Sequence, residues 1–131
     1  MDDQDLEFLA VLRSEFYSEA TETLNACEDI LNKIPLEPEN KQLLLDYKVT
    51  LHTLKGSSHA VEYFKMASVI TLIEETVLEL NNEIDRLVSV NLSLLSLAHK
   101  IIEFLRNGEE AKANLILEKI LATKRPELKK S

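Results

Sequence analysis

The sequence predicts an all-α protein, an up-and-down antiparallel four-helix bundle with an additional C-terminal helix. Apolar residues recur every three or four positions along most of the 131 residues, with charged and polar residues between them, which is the spacing of amphipathic helices. Only two glycines and three prolines occur, so the chain has few positions for the tight turns of a β-sandwich or barrel. Long helices joined by short turns pack as antiparallel neighbours, which gives the bundle.

The first predicted helix covers residues 5–34, with Asp2 or Asp3 as its N-cap, because an aspartate accepts hydrogen bonds from the free N–H groups of a first turn. Pro35 and Pro38 end this helix, since proline disfavours helical geometry in the preceding residue and has no N–H to donate. Its apolar stripe consists of Leu6, Leu9, Leu12, Phe16, Ala20, Leu24, Cys27, Ile30 or Leu31, and Ile34.

The second and third predicted helices follow this proline pair. The second begins near Pro38 or Glu39 and reaches the end of residues 55–58 or a little beyond. The third covers about residues 64–82 and carries apolar residues at helical spacing. Both are therefore expected to present one apolar side to the core.

The fourth predicted helix has an ambiguous beginning, because residues 87–94 alternate apolar and polar side chains at the period of a strand. A single strand would have no partner, and the later apolar residues continue at helical spacing, so we favour a helix from Asn91. Asn107 and Gly108 end it, with Gly108 suited to the left-handed cap conformation. A short final helix is predicted at residues 109–123.

Charge and residue content exclude several classes of function. Twenty-three acidic and fifteen basic residues give a net charge of −8, and no block of basic residues occurs outside the last eight positions, so nucleic acid and anionic membrane are poor partners. No stretch approaches the ~20 consecutive apolar residues of a membrane span or resembles a signal peptide. Cys27 alone forms no internal disulfide and is expected in the core, His99 is expected at the surface beside Lys100, and no zinc spacing is present. We expect one cytoplasmic, monomeric domain at residues 1–124 and a basic tail or linker at 125–131.

One side of the second predicted helix carries chemically distinctive residues. At 100° per residue, His52, Lys55, Gly56 and His59 lie opposite the core-facing positions. Glycine inside a helix costs about 1 kcal/mol relative to alanine, so it indicates close approach, either of a partner to this side or of a neighbouring helix. If Glu74 lies near the ring, it accepts a hydrogen bond from one imidazole nitrogen and leaves the other as a nucleophile. Alternatively, Glu74 is a partly buried residue paired with a nearby lysine.

The run His52-Thr-Leu-Lys55-Gly56-Ser57-Ser58 resembles the phosphorylation motif of histidine phosphotransfer (HPt) domains, His-x-x-Lys-Gly-Ser/Gly-Ser/Ala. The first helix and the helix before Gly108 also resemble the first domain of chemotaxis-type histidine kinases, and the similarity covers about residues 5–122. The resemblance implies that His52 accepts a phosphoryl group and that Lys55 contacts its oxygens. It further implies that Gly56 admits the incoming domain and that Glu74 orients the histidine.

The resemblance implies a phosphorelay intermediate of two-component signal transduction, which passes the phosphoryl group from His52 to an aspartate of a response-regulator receiver domain. The chain has no glycine-rich nucleotide loop and no carboxylate cluster suited to Mg²⁺, so the ATP-binding domain of a histidine kinase and other partner domains are expected to supply ATP and Mg²⁺. Leu45, Lys48, Val49 and His59 are candidates for a docking surface. Leu45 and Val49 could equally be covered by the N-terminal helix, and His59 could be a solvated residue near a helix end.

The sequence departs from the family pattern in two places, the turn into the third helix and position 71. Glu62 stands where the family has a glycine, at the turn into the third helix, and Tyr63 follows where an apolar residue is typical. We therefore expect a turn without left-handed backbone, or a longer second helix. Thr71 stands where chemotaxis kinases often have a second histidine. These departures leave open a degenerate HPt-like adaptor that binds a receiver or kinase without carrying phosphate. A purely structural bundle is a third alternative, and it leaves Gly56 unexplained.

Overall fold

The computed structural model describes residues 2–123, and the predicted basic tail at 125–131 lies outside them. Every regular element in the described range is helical, as predicted. A short 3₁₀ helix, Ile34–Leu36, follows the first of five α-helices. These are α1 (Asp3–Lys33), α2 (Lys41–Ala60), α3 (Phe64–Glu79), α4 (Ile84–Arg106) and α5 (Glu110–Ala122).

The five helices pack into a helical bundle. α1 contacts α2 and α4, α3 contacts α2, α4 and α5, and α4 also contacts α5. The apolar sides of all five helices meet in one core. Its largest fully buried side chains are Tyr47, Leu24, Leu31, Leu51, Leu54, Met66, Ile70, Ile73, Leu87, Leu95, Ile101 and Ile102.

Side-chain caps set the beginnings of α1 and α2. Asp2 caps α1, with its Oδ1 accepting from the Asp5 N–H at 2.9 Å, which decides between the two predicted caps. Asn40 caps α2, with its side chain accepting from the Gln42 N–H at 3.2 Å. The predicted start of α2 at Pro38 or Glu39 is therefore wrong, because the chain turns after the proline and Asn40 supplies the cap. The third helix also ends earlier than predicted, at Glu79.

The fourth helix begins at Ile84, seven residues before the predicted start at Asn91. The ambiguous segment 87–94 is helical throughout, because Asn91 belongs to the buried side of α4 together with Leu87 and Leu94. Counting a buried asparagine as a surface residue produced the apparent strand period. Within the described residues, α4 alone has the length and mean hydropathy of a membrane span, and nine of its residues are buried in the bundle.

The turns after α2 and α4 share one hydrogen-bond pattern. The Tyr63 N–H bonds the Ser58 carbonyl at 2.9 Å, and the equivalent bond closes the end of α4. This pattern needs a left-handed residue one position before the donor. At the end of α4 that residue is Gly108, with φ of 75°, as predicted, and at the end of α2 it is Glu62, with φ of 62°. The expectation of a turn without left-handed backbone is thus wrong, and α2 ends at Ala60.

Side chains of α1 hold the turn that contains Glu62. Arg13 Nε donates to the Val61 carbonyl at 3.0 Å, and its guanidinium lies 4.2 Å from the centre of the Tyr63 ring. The hydroxyls of Tyr17 and Tyr63 are 2.6 Å apart. A left-handed conformation costs a residue with a side chain roughly 1–2 kcal/mol, and these contacts offset that cost. The turn thereby fixes how α2 leads into α3.

Candidate functional site

His52 lies on the outer side of α2, with its side chain 74% exposed. The opposite side of α2 is buried through Tyr47, Leu51, Leu54 and Ser58, which recur at helical spacing and fix the rotation of the helix in the bundle. Burial of this apolar side thus directs the imidazole outward. The predicted exposure of His52 agrees with its position.

Glu74 of α3 contacts two residues of α2 through its two carboxylate oxygens. Its Oε1 accepts a hydrogen bond from Lys55 Nζ at 2.7 Å, and its Oε2 lies 3.6 Å from His52 Nδ1. The second separation exceeds a hydrogen bond, so the interaction with the ring is electrostatic at this distance. The side chains of Lys55 and Glu74 are 24% and 25% exposed, so the ion pair is largely withdrawn from water.

This arrangement distinguishes the two nitrogens of His52. Nδ1 is turned toward the Glu74 carboxylate, which favours a proton on Nδ1. Nε2 then carries the free lone pair, in a side chain that is 74% exposed. Of the two alternatives for Glu74, the lysine partner is present, and Glu74 also lies near the ring, but the expected hydrogen bond to the imidazole is not formed at 3.6 Å. The contact between Lys55 and phosphoryl oxygens stays a prediction.

Gly56 is exposed one turn beyond His52. A Cβ built at this position would meet nothing within 4 Å. The alternative that Gly56 allows two helices to pack closely is therefore wrong. What remains is an open backbone surface beside the histidine, which suits the approach of another molecule.

Leu45 and Val49 are 52% and 58% exposed, so the N-terminal helix does not cover them. With His52 and Gly56 they form one ridge of α2, at successive spacings of four, three and four residues. Lys48, beside this ridge, is partly buried. An imidazole flanked by exposed apolar side chains is an arrangement suited to a protein partner.

His59 is exposed, and its ring lies 5.7 Å from the ring of Phe64 at the beginning of α3. The sequence reading missed Phe64 and Leu78 as surface residues, although they are 56% and 66% exposed. Leu78 lies one helical turn beyond Glu74 on α3, and this spacing of four residues was the available signal for Leu78. Thr71, about one turn before Glu74 on the same helix, donates to the Ala67 carbonyl at 3.1 Å.

A second histidine–carboxylate pair connects α1 and α4. His99 Nε2 lies 2.7 Å from Glu28 Oε1, and the two side chains are 26% and 33% exposed. His99 was predicted at the surface beside Lys100, and its contact with Glu28 was not predicted. Cys27, next to Glu28, is buried as predicted, and burial together with the Glu28 charge raises the pKa of its thiol to about 12.

Residues 2–123 contain no group of three or more histidine, cysteine, aspartate or glutamate side chains that could hold a metal ion. The chain matches no family model, and no curated protein or solved structure is significantly similar to it. Functional assignment therefore depends on the motif and on the geometry around His52.

Proposed function

We propose that the protein is a phosphocarrier of the HPt type, which receives a phosphoryl group on His52 and passes it to an aspartate of a receiver domain. The observation that carries the proposal is the exposed imidazole whose Nδ1 faces Glu74 at 3.6 Å while Nε2 points away from the carboxylate. In this proposal α1 to α4 form an up-and-down antiparallel four-helix bundle, to which α5 is appended. The short connections at 61–63, 80–83 and 107–109 support that arrangement, because short turns join antiparallel neighbours.

Phosphorylation begins with the lone pair of His52 Nε2, which attacks the phosphorus atom of the donor. A nitrogen–phosphorus bond forms, the phosphorus–oxygen bond to the donor breaks, and its electron pair leaves with the donor oxygen. The donor is an acyl phosphate of a receiver aspartate or ATP held by a kinase domain. Both imidazole nitrogens are then substituted, so the ring is cationic, and its Nδ1–H faces Glu74. The carboxylate stabilises that charge as it develops.

Transfer onward reverses these steps. A carboxylate oxygen of the acceptor aspartate attacks the phosphorus, the nitrogen–phosphorus bond breaks, and the electron pair returns to Nε2. Lys55 lies one turn from His52, and its ammonium has three donors, of which Glu74 Oε1 receives one. A second N–H is available to a phosphoryl oxygen without loss of the contact to Glu74. Lys55 thereby contributes charge in both directions, and the partner domains supply ATP and Mg²⁺.

The docking surface in this proposal is the ridge of Leu45, Val49, His52 and Gly56, extended by Leu78 of α3. Leu45 and Val49 share a side of α2 with the imidazole, Leu78 lies one turn beyond Glu74 on α3, and all three side chains are exposed by half or more. A receiver domain seated on them excludes water from the phosphorus and holds the aspartate close to His52. Such positioning is the main contribution that a protein without its own metal can make to the reaction.

The test uses phosphoramidate, a small donor with a nitrogen–phosphorus bond, followed by purified receiver domains with Mg²⁺. We expect acid-labile, alkali-stable phosphate on the wild-type protein that moves to a receiver. His52→Gln removes the rapidly formed product, whereas His59→Gln and His99→Gln retain it. Rapid phosphorylation that persists in His52→Gln contradicts the proposal. A phosphorylated wild-type protein that transfers its phosphate to none of the receivers also contradicts it.

A degenerate adaptor is the second candidate, favoured by the engagement of Lys55 with Glu74 at 2.7 Å and by Glu62 in place of the family glycine. In an adaptor the ion pair has a structural role and the exposed ridge binds a receiver or kinase without chemistry. This function predicts partner binding that His52→Gln does not change and the absence of transferable phosphate. Titration of the wild-type and variant proteins with the same receiver separates the two functions.

A further inference from the structure

A chain of buried hydrogen bonds joins α2, α3 and α4. The Tyr47 hydroxyl donates to Asn91 Oδ1 at 2.6 Å. Asn91 Nδ2 donates to Thr76 Oγ1 at 3.1 Å and to the Leu87 carbonyl at 2.9 Å. The Thr76 hydroxyl donates to the Ile73 carbonyl at 2.7 Å. Tyr47 and Asn91 are fully buried, and Thr76 is 5% exposed, so both hydrogens of the Asn91 amide are satisfied inside the core.

The donors and acceptors of this network fit together in one way. The Leu87 carbonyl only accepts, so it faces the amide nitrogen of Asn91, and the amide oxygen must then face Tyr47. Thr76 gives its single hydrogen to its own helix and can only accept from Asn91. A buried polar group that loses its partner costs about 1–3 kcal/mol. The network therefore favours one arrangement of α2 and α3 around α4.

The two helices joined by Asn91 are those that carry the site. Tyr47 precedes His52 by five residues on α2, and Thr76 follows Glu74 by two on α3. At 1.5 Å per residue, these separations correspond to about 7.5 Å and 3 Å along the helix axes. A one-residue slide or a small rotation of either helix breaks the network and also separates Glu74 from the imidazole. Apolar packing alone is non-directional and specifies the register less sharply.

We propose that Asn91 is a positioning residue for His52. Through Tyr47 and Thr76 it sets the register of α2 and α3 that holds Glu74 beside His52 Nδ1. The consequence for phosphoryl transfer rests on the function proposed above, whereas the effect on the protonation site of the imidazole does not. The role of Asn91 can thus be tested whether or not His52 carries phosphate.

The test compares paired variants of the network. Thr76→Val keeps the shape and removes the hydroxyl, Thr76→Ser restores the hydroxyl, and Tyr47→Phe removes the other bond to Asn91. Leu24→Ala, in the core on α1 and outside the network, is the control for lost stability. Nitrogen-15 NMR at alkaline pH, where the imidazole is neutral, measures the share of His52 protonated on Nδ1. We expect that share to fall in Thr76→Val and Tyr47→Phe and to remain at the wild-type value in Thr76→Ser and Leu24→Ala.

Phosphoramidate supplies the kinetic measurement on the same proteins. Displacement of a positioned group by about 1 Å costs on the order of 100-fold in rate, so we expect Thr76→Val and Tyr47→Phe to slow phosphorylation of His52 by roughly 10-fold to 100-fold. An unchanged protonation ratio in both variants, or an equal change in Leu24→Ala, overturns the role of Asn91. Absence of phosphate on wild-type His52 contradicts the proposed function instead, and the protonation ratio still decides the role of Asn91.

Discussion

Two histidine–glutamate pairs within residues 2–123 differ in the ring nitrogen that meets the carboxylate and in exposure. In the pair between α1 and α4, His99 Nε2 lies 2.7 Å from Glu28, and the histidine side chain is 26% exposed. In the pair between α2 and α3, His52 Nδ1 lies 3.6 Å from Glu74, and the side chain is 74% exposed. Lys55 also holds Glu74, at 2.7 Å.

A carboxylate beside a histidine therefore does not by itself indicate a nucleophilic imidazole. At His99 the short contact engages Nε2, the nitrogen farther from the backbone, and links two helices. At His52 Nδ1 is the nitrogen nearest the carboxylate, which leaves Nε2 without this neighbour in a side chain that is 74% exposed. The first geometry is suited to structure and the second to nucleophilic attack.

Replacement of each glutamate by glutamine is expected to give the largest difference between the two pairs, in phosphorylation rate and in stability. In the proposed reaction Glu74→Gln removes the charge that would stabilise a phosphorylated ring, and we expect phosphorylation of His52 by phosphoramidate to slow by about 10-fold to 100-fold. Glu28→Gln leaves that rate unchanged and, at a pH where His99 is protonated, lowers the unfolding free energy by about 0.2–1 kcal/mol, the usual range of a partly exposed ion pair. Rates are followed by phosphorus NMR and stability by urea unfolding. Equal rates in the two variants would remove the distinction between the pairs.

The two glycines sharpen the same distinction, because one lies beside His52 and the other in a turn. Gly56 is helical with open space around it, so Gly56→Ala is expected to raise the unfolding free energy by about 1 kcal/mol. If His52 passes phosphate to a receiver as proposed, the same variant is expected to slow that transfer, since the added methyl group obstructs the approach of the receiver to His52. Gly108 has φ of 75°, so Gly108→Ala is expected to lower the unfolding free energy by about 1–2 kcal/mol without changing transfer.

Urea unfolding of the two glycine variants measures the opposite changes in unfolding free energy, and single-turnover assays measure phosphate transfer. A Gly56→Ala protein that is more stable and transfers at the wild-type rate would show that the open surface has no role in docking. A loss of stability in that variant would contradict the helical, unobstructed position of Gly56.

The helical class and the order of the helices follow from periodicity, because each helix buries one apolar side. The beginning of α4 could not be predicted this way, since Asn91 is polar and fully buried, and its partners Tyr47 and Thr76 come from other helices. The left-handed turn at Glu62 was also beyond prediction from local preference. Contacts from α1, far away in the sequence, hold that turn.

The candidate site was predictable to a similar extent. Helical spacing places His52, Lys55 and Gly56 on one side of α2, and this grouping is present. The pairing of Lys55 with Glu74 depends on the relative register of two helices, which no local pattern specifies. The exposure of Leu78 also could not be predicted from the apolar pattern, because Leu78 lies in an apolar stretch of α3 and is nevertheless 66% exposed.

The last prediction does not depend on phosphoryl transfer and concerns Cys27, which is buried in the core and precedes Glu28 in the sequence. Its thiol pKa is raised from 9.0 to about 12, chiefly by burial, so the folded protein keeps this proton where the unfolded chain loses it. Above about pH 9 the unfolded state binds fewer protons than the folded state, so stability falls with rising pH until about pH 12. Urea unfolding across this range is expected to show a shallower decline for Cys27→Ala. A thiol reagent should likewise modify the protein only after unfolding, and rapid modification of the native state would show that the core around Cys27 opens more readily than its burial indicates.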